Sequence, residues 1–378
     1  MRRTLKFYYS AFLFILAISS VIFTSCKQDR QVVIGFVADL SSRNAELGIS
    51  GRNGLEMAID EINGSGGLNG YPVLIAIGDH NGDKDRCFSV VSDLIEQSVD
   101  VIIGPMVSGL ATTVIEAAKQ NGTLIIAPTV SSDELSGIDD MFLRVASSAS
   151  NQGSFLAKAI MKRQERRIAI VMDGRNRIFT KGVLEGILNE VSRDSSFIID
   201  ELYFSDKDDY RETADQLEKL QSEAIVFVAS GIDTAGIIQQ YAKNNQVPQL
   251  YGSQWVKVTN VTEYGGKTVE GMIIVDSFEN KEPLEREIKF TEQYTDRFGT
   301  TPNIASRSAY ESVQMYADAV RKTKSVNGKK IKEYIVKTEK IEGILDDFQL
   351  DEYGDGLREL SYFIVENNDY SLLEIDQK

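Results

Sequence analysis

Hydroxyl side chains follow two neighbouring predicted strands of this chain. Ser108 follows the apolar run 99–103, and Thr129 and Ser131 follow the apolar run 124–127. In an open parallel sheet, ligands bind beyond the carboxyl ends of the strands, where helix N-termini offer unpaired backbone N–H groups. These hydroxyls could therefore hold a carboxylate or another polar group of a small ligand. Helix capping needs the same residue types, and the spacing alone favours capping.

The elements that would position these hydroxyls alternate along the chain. From residue 32 onward, short β-branched runs alternate with amphipathic stretches, which is the pattern of a mostly parallel sheet covered by helices on both faces. The fold class is therefore α/β. Four strand–helix units come first, and the same alternation restarts near Ser150. Two lobes are expected, because a mature chain of about 350 residues exceeds the size at which a single core stops growing.

The predicted elements can be given as ranges. The predicted strands are 32–37, 73–77, 99–103, 124–127, 168–172, 197–203, 224–229, 249–251, 273–275, 347–350 and 361–365. The predicted helices are 51–62, 84–97, 109–121, 150–163, 180–192, 210–221, 234–244, 283–298, 306–322 and 331–338. No Pro-rich or Ser-rich linker separates the two series, so we expect the lobes to be joined by several direct crossings.

The N-terminus combines a basic start with a short apolar stretch. Arg2 and Arg3 precede roughly 13 apolar residues, which are too few to span a membrane as a helix but suit the core of a signal peptide. The run FTSC at 23–26 resembles the processing site of a bacterial lipoprotein signal. That resemblance implies cleavage before Cys26 and lipidation of its thiol and new amino group. An ordinary secretory signal with a chance cysteine is the alternative.

We therefore expect residues 1–25 to be a signal peptide and residues 26–31 a lipid-anchored tether. The protein would lie in the cell envelope, outside the cytoplasm and attached to a membrane. Removing residues 1–25 takes the formal net charge from −15 to −18. Such a charge argues against binding nucleic acid or anionic lipid through bulk electrostatics. Beyond Cys26 the only cysteine is Cys87, so the exported chain has no internal disulfide, and we expect Cys87 to be a small buried apolar residue.

Several short motifs in a fixed order resemble one protein family over nearly the whole mature chain. They are the opening strand at 32–37, 51–63 (GRNGLEMAIDEIN), 66–70 (GGLNG), 101–105 (VIIGP), 125–131 (IIAPTVS), 142–145 (FLRV), 151–153 (NQG) and 270–272 (EGM). With these landmarks the chain resembles the type I periplasmic binding proteins that bind leucine, isoleucine and valine, the substrate receptors of ABC importers.

This resemblance implies a fold of two doubly wound, Rossmann-like lobes, hinged by three strands and closing on a ligand between them. Lobe one would consist of residues 32–146 and 276–343. Lobe two would consist of residues 147–275 and 344–378. Both lobes would thus be discontinuous in sequence.

The resemblance also implies roles for the hydroxyls. Ser108 and Ser131 match family positions whose hydroxyls hold the carboxylate of an amino-acid ligand, and Thr129 matches a position that contributes backbone groups. With the resemblance added, ligand contact becomes a better interpretation of Ser108 and Ser131 than helix capping.

The second-lobe loop at 252–255 (GSQW) departs from the family pattern. It aligns with a segment that supplies a carboxylate for the ligand's ammonium group, whereas Gln254 is neutral. Burying an ammonium without an acceptor costs several kcal/mol. A zwitterionic amino acid is therefore in doubt unless Asp233 or Asp276 reaches into the site.

Three apolar side chains complete the expected pocket. Leu47 and Phe179 stand where the family often has aromatic residues, and Phe179 lacks the hydroxyl of the usual tyrosine. Trp255, the only tryptophan, could cover an apolar end of the ligand, or it could pack in the core.

Catalytic and metal sites are not indicated. The run DHNGD at 79–83 looks like a calcium loop, but Lys84 replaces the required glycine and Val90 the required glutamate. A strand end and a helix cap explain Asp79 and Asp83 equally well. His80 is the only histidine, and neither a nucleophile elbow nor a P-loop is present. We therefore expect neither an enzyme nor a bound cofactor or metal.

The expected function is that of a monomeric solute-binding lipoprotein. It would capture an amino acid, an amide or a related organic acid and present it to an ABC permease. The alternative is a ligand-sensing lipoprotein that regulates an envelope partner. The short stretch 27–31 supports the sensor if the anchor lies in an outer membrane, because reaching an inner-membrane permease would then be difficult.

Overall fold

The computed structural model describes residues 31–42, 45–192, 194–205, 210–258, 260–277 and 282–375. The expected signal peptide and Cys26 lie outside these residues. Within them, no helix has the length and apolar character needed to cross a membrane.

The first sheet is entirely parallel, with the strand order β2-β1-β3-β4-β5. Its strands are β1 (Val32–Ala38), β2 (Val73–Asp79), β3 (Val101–Ile103), β4 (Leu124–Ala127) and β5 (Phe142–Arg144). Apolar clusters cover both faces, as the near-continuous burial of β3 and β4 requires. Cys87 is fully buried in one of these clusters, as predicted.

The second sheet has seven strands in the order β15-β14-β10-β9-β8-β6-β7. Its strands are β6 (Arg167–Asp173), β7 (Ile198–Phe204), β8 (Ala224–Val228), β9 (Gln249–Gly252), β10 (Ile273–Ser277), β14 (Leu360–Glu366) and β15 (Asp369–Leu373). Pairing is parallel from β7 to β10 and antiparallel from β10 to β15. Three short strands, β11 (Ile341–Glu342), β12 (Asp347–Leu350) and β13 (Gly356–Leu357), form a separate small sheet.

Helices cover both sheets, which confirms the α/β class with mostly parallel sheets in two lobes. The first sheet carries α1 (Ala45–Gly64), α2 (Lys84–Glu96) and α3 (Ala111–Lys119), and the second carries α4 (Ala149–Arg163), α5 (Arg177–Val191), α6 (Tyr210–Leu220) and α7 (Gly231–Tyr241). The short helices α8 (Gln254–Val258) and α9 (Val261–Gly265) follow, then α10 (Glu285–Phe298), α11 (Ile304–Thr323) and α12 (Gly328–Ile335).

The predicted helix at 51–62 in fact begins at Ala45. Its glycines disfavour a helix by propensity, but packing requires them. A Cβ atom at Gly54 would lie 1.9 Å from the backbone oxygen of Ser306, so α1 and α11 approach at a distance that only glycine permits. This contact holds α11 on the first sheet, although α11 follows the last parallel strand of the second.

Where one lobe ends and the other begins stays a prediction. Phe348 and Leu350 pack into the apolar cluster of the first sheet, whereas Leu360 and Tyr362 pack into a cluster of the second. The chain thus passes from one lobe to the other in the neighbourhood of β13.

One buried arginine ties this passage to the earlier crossing at β5. The Arg144 side chain is 2% exposed, and its Nε donates a hydrogen bond of 2.9 Å to Asp355 Oδ1. Its Nη1 donates to the Ser132 carbonyl at 2.5 Å and its Nη2 to Ser136 Oγ at 2.7 Å. The backbone N–H of Arg144 also donates to the Gly354 carbonyl at 2.9 Å. The guanidinium therefore joins both crossings to the loop that follows β4.

Replacing Arg144 with methionine tests this arrangement. Arg144→Met keeps an apolar stem but leaves the Asp355 carboxylate without its cation, so the free energy of unfolding should fall by about 3 kcal/mol. Urea unfolding followed by circular dichroism measures the loss. Arg297→Met is the matched control, because Arg297 pairs with Asp60 at the surface, where such pairs contribute less than about 1 kcal/mol. Equal losses in the two variants would contradict a central role for Arg144.

Candidate ligand-binding cleft

A small cavity with a volume of about 50 Å³ lies between the two lobes. Seven of the eight candidate ligand-binding residues line it: Leu47, Ser108, Thr129, Ser131, Phe179, Gln254 and Trp255. Only Asp233 is absent from its lining. The cavity is also lined by residues that were not predicted: Met106, Val107, Gln152, Asn176, Val258 and Ile304. Every one of these lining side chains is uncharged.

The three hydroxyls meet at the carboxyl ends of β3 and β4, as the sheet rule predicts. Ser108 Oγ accepts a hydrogen bond of 3.3 Å from the backbone N–H of Ser131, which differs from helix capping. Thr129 Oγ1 donates to the Met106 carbonyl at 2.6 Å. Ser131 is 2% exposed and lines the cavity. Ser108 and Ser131 can thus offer hydroxyl groups to a polar ligand head.

Ser132 behaves differently from its neighbour. Its Oγ accepts a hydrogen bond from the Glu134 N–H and caps the short helix Asp133–Leu135.

Gln254 is held by a carboxylate that lies behind the cavity lining. Its Nε2 donates to Asp276 Oδ1 at 2.7 Å and to Ser277 Oγ at 2.9 Å. Lys257 Nζ lies 3.0 Å from Asp276 Oδ2. Burial opposes ionisation of Asp276, but the cations of Lys257 and Arg307 and the amide of Gln254 outweigh it and lower its pKa. Asp276 is therefore an ionised partner of Lys257, and its charge is already matched within the protein.

Asp233 does not reach the cavity. Its Oδ2 lies 2.6 Å from Arg175 Nη2 and accepts a hydrogen bond from Ser230 Oγ at 2.8 Å, while its Oδ1 accepts one from Tyr210 at 2.8 Å. Arg175 also pairs with the buried Asp173. The inclusion of Asp233 among the pocket residues is not supported by this packing, because its side chain is held at the start of α7.

Trp255 and Phe179 form an aromatic wall on the second-lobe side. Their rings meet edge to face, with centroids 5.9 Å apart and an interplanar angle of 79°. Phe179 is buried and Trp255 is half-buried. Trp255 also packs against the apolar cluster of its own lobe, so it serves the core and the cavity together.

Direct hydrogen bonds join the two lobes beside the cavity. The Gly109 N–H donates to Asn176 Oδ1 at 3.1 Å, and Asn303 Nδ2 donates to the Val258 carbonyl at 3.0 Å. Asn176 was not predicted, although it follows β6 as Ser108 follows β3, so the same rule for strand ends could have found it. Gln152 lies in the family motif 151–153, and its Oε1 accepts a hydrogen bond from the Gln254 N–H at 3.3 Å.

The calcium-like run has the structural roles expected for it. Asp79 ends β2 and accepts hydrogen bonds from the Leu40 and Asn81 N–H groups, and Asp83 caps α2 through the Arg86 N–H. Across the residues that the structure describes, no cluster of three or more histidine, cysteine, aspartate or glutamate side chains is placed to hold a metal ion.

The sequence is similar to proteins named as Leu/Ile/Val-binding proteins or their homologues. The chain is 24% identical to Leu/Ile/Val-binding protein homolog 1 of Brucella melitensis over 345 residues, which cover 86% of this chain and 87% of that protein. It is 30% identical to Leu/Ile/Val-binding protein BraC3 of Rhizobium johnstonii over 145 residues, which are 38% of this chain and only 39% of that protein.

Solved structures share the fold over most of the chain. A leucine binding protein from Thermotoga maritima superimposes with a TM-score of 0.82 at 20% identity, covering 91% of this chain and 98% of that one. An ABC transporter solute binding protein from R. palustris in complex with benzoate gives 0.83 at 16% identity, covering 91% and 96%.

A family model also matches most of the chain. The model described as periplasmic binding protein matches residues 31–369, which include every residue of the cleft named above. This chain therefore belongs to the periplasmic binding protein family, and within it to the type I proteins related to the leucine/isoleucine/valine-binding receptors.

Proposed function

We propose that this protein is an extracytoplasmic, lipid-anchored receptor that captures a small polar molecule between its lobes and delivers it to an ABC importer. The observation that carries the proposal is the cavity itself, whose lining comes from both lobes and includes seven residues chosen from sequence. Because each lobe contributes contacts, a ligand would bind the closed arrangement better than the open one. A permease would then recognise the ligand-bound protein by its closed conformation.

The uncharged lining narrows the class of ligand. An ammonium group buried here would find amide and hydroxyl oxygens but no carboxylate, since Asp276 is paired with Lys257 and Asp233 with Arg175. A carboxylate or amide head, in contrast, finds the hydroxyls of Ser108 and Ser131. Among small polar molecules we therefore favour organic acids and amides over zwitterionic amino acids. The benzoate complex of the R. palustris neighbour supports an acid ligand for this fold.

Thermal unfolding against a panel of small molecules tests the cleft. The full chain, purified in mild detergent, would be screened with organic acids, amides, amino acids and short peptides, because a ligand that binds only the folded state raises Tm. The stabilising ligand should lose about tenfold or more in affinity in Ser108→Ala and in Ser131→Ala, since each removes a hydrogen bond to a polar head.

Ser132→Ala is the matched control for this experiment. It removes a hydroxyl next to Ser131 that caps a short helix and does not line the cavity. Ligand affinity should therefore stay unchanged in Ser132→Ala. A ligand that binds equally well to all three serine variants would refute the cleft assignment.

A matched pair of ligands tests the charge argument. Leucine and 4-methylpentanoate share a carboxylate and an isobutyl group, and only leucine carries an ammonium. We expect 4-methylpentanoate to raise Tm more than leucine at equal concentration, because the ammonium loses its hydration and gains no carboxylate partner. Titration calorimetry would give both affinities. Tighter binding of leucine would contradict the preference for acids.

Lipidation is tested at Cys26. Cells that express the chain and are fed a labelled fatty acid should incorporate label into the wild-type protein and lose it in Cys26→Ser, with release of the protein from the membrane fraction. Cys87→Ser is the control, because Cys87 is fully buried and burial raises the pKa of its thiol to about 12. Label that persists in Cys26→Ser would contradict the proposed anchor.

A further inference from the structure

A second, larger chamber adjoins the small cavity. Its volume is about 560 Å³, and Leu47, Val107, Asn176 and Trp255 line both spaces. The shared wall is thus mainly apolar. A ligand that extends out of the small cavity along this wall would enter the larger chamber.

His80 lies in the wall of the larger chamber with an unused hydrogen-bonding atom. Its Nδ1 accepts a hydrogen bond of 3.1 Å from the Gly82 N–H. Burial lowers the pKa of His80, so the ring is neutral and the proton lies on Nε2. The side chain is 1% exposed, yet Nε2 has no hydrogen-bond partner among the described residues. An unmade buried donor of this kind is unfavourable, and an acceptor on a ligand would satisfy it.

The charges around this chamber disfavour a second anion. The Asp39 carboxylate lines the chamber and accepts hydrogen bonds from the Ser41 and Ser42 N–H groups. Arg175, which also lines it, is paired with the carboxylates of Asp173 and Asp233. With a neutral His80, the local balance is negative. An uncharged acceptor therefore suits the site better than a carboxylate.

We propose that the larger chamber is a second subsite of the cleft, in which His80 Nε2 donates a hydrogen bond to an uncharged acceptor at the far end of the ligand. This inference rests on the proposed function, since the polar head of the same ligand would lie at Ser108 and Ser131. The ligand would be an elongated acid or amide with an apolar middle along Leu47, Val107 and Trp255, and with an amide carbonyl or hydroxyl at its distal end.

Two series of acids of increasing length test the subsite. One series carries a terminal amide opposite the carboxylate, and the other carries a terminal isopropyl group of the same shape. Titration calorimetry on the full chain in mild detergent should show the amide binding about tenfold tighter than its hydrocarbon match at one or more lengths, as one added hydrogen bond implies.

Substitutions at His80 identify the donor. His80→Leu should abolish the preference for the amide, whereas His80→Gln, whose side-chain NH₂ reaches a similar position, should retain it. Thermal unfolding of both variants without ligand checks that they fold. Should His80→Leu fail to fold, the wild-type preference and its survival in His80→Gln still decide the question.

The outcomes separate the subsite from the cleft. Binding that Ser131→Ala weakens equally in both series, with no preference for the amide, would overturn the subsite and leave the proposed function intact. A preference that persists in a folded His80→Leu variant would also overturn it. If no acid in either series binds, or if Ser131→Ala leaves the affinity of the acids unchanged, the proposed cleft is contradicted, and the subsite with it.

Discussion

The buried guanidinium of Arg144 is the interaction on which the rest of the structure depends. Burying a cation is unfavourable unless its charge is paired and its N–H donors are hydrogen-bonded. The guanidinium of Arg144 pairs with Asp355 and donates hydrogen bonds to the Ser132 carbonyl and to Ser136 Oγ. Asp355 belongs to the passage between the lobes, and Ser132 follows Ser131, which lines the small cavity. The requirement to pair one charge thus fixes the loop that offers hydroxyls to a ligand relative to two of the chain crossings.

The need to pair buried charges also explains why the small cavity has an uncharged lining. Charged side chains do lie close behind it, but Lys257 is paired with Asp276 and Arg175 with Asp233. Each pair satisfies itself within the second lobe, so the lobe presents the cavity with the amide of Gln254 and with aromatic surface. Under the proposed function, recognition of a ligand there would come from hydrogen bonds and shape. A site of this kind discriminates strongly against a ligand that leaves its buried polar groups unpaired, and only weakly against one that differs by a methylene.

Local sequence was sufficient for the elements and for part of the site. The β-branched runs and amphipathic stretches predicted most strands and helices, and the rule for strand ends brought Ser108, Thr129 and Ser131 together. What sequence could not show was long-range pairing. Asp233 was expected near the ligand, but Arg175, far away in sequence, holds it at the start of α7. The start of α1 was missed because Gly48 disfavours a helix locally, whereas a Cβ atom there would lie 1.9 Å from the backbone oxygen of Asp39, a contact that local sequence does not show.

The direct bonds between the lobes bear on how a ligand could control closure. Gly109 with Asn176 and Asn303 with Val258 join the two lobes by protein contacts alone. Such bonds raise the apparent affinity of any ligand that selects the closed state, because a larger fraction of the protein is already competent to bind. Such bonds also reduce the difference between ligand-bound and ligand-free protein, because a partner that binds the closed state would then bind ligand-free protein as well. Under the proposed function, the protein would therefore need few direct bonds between its lobes, and the contacts of a ligand with Ser131 and Gln254 would decide whether it closes.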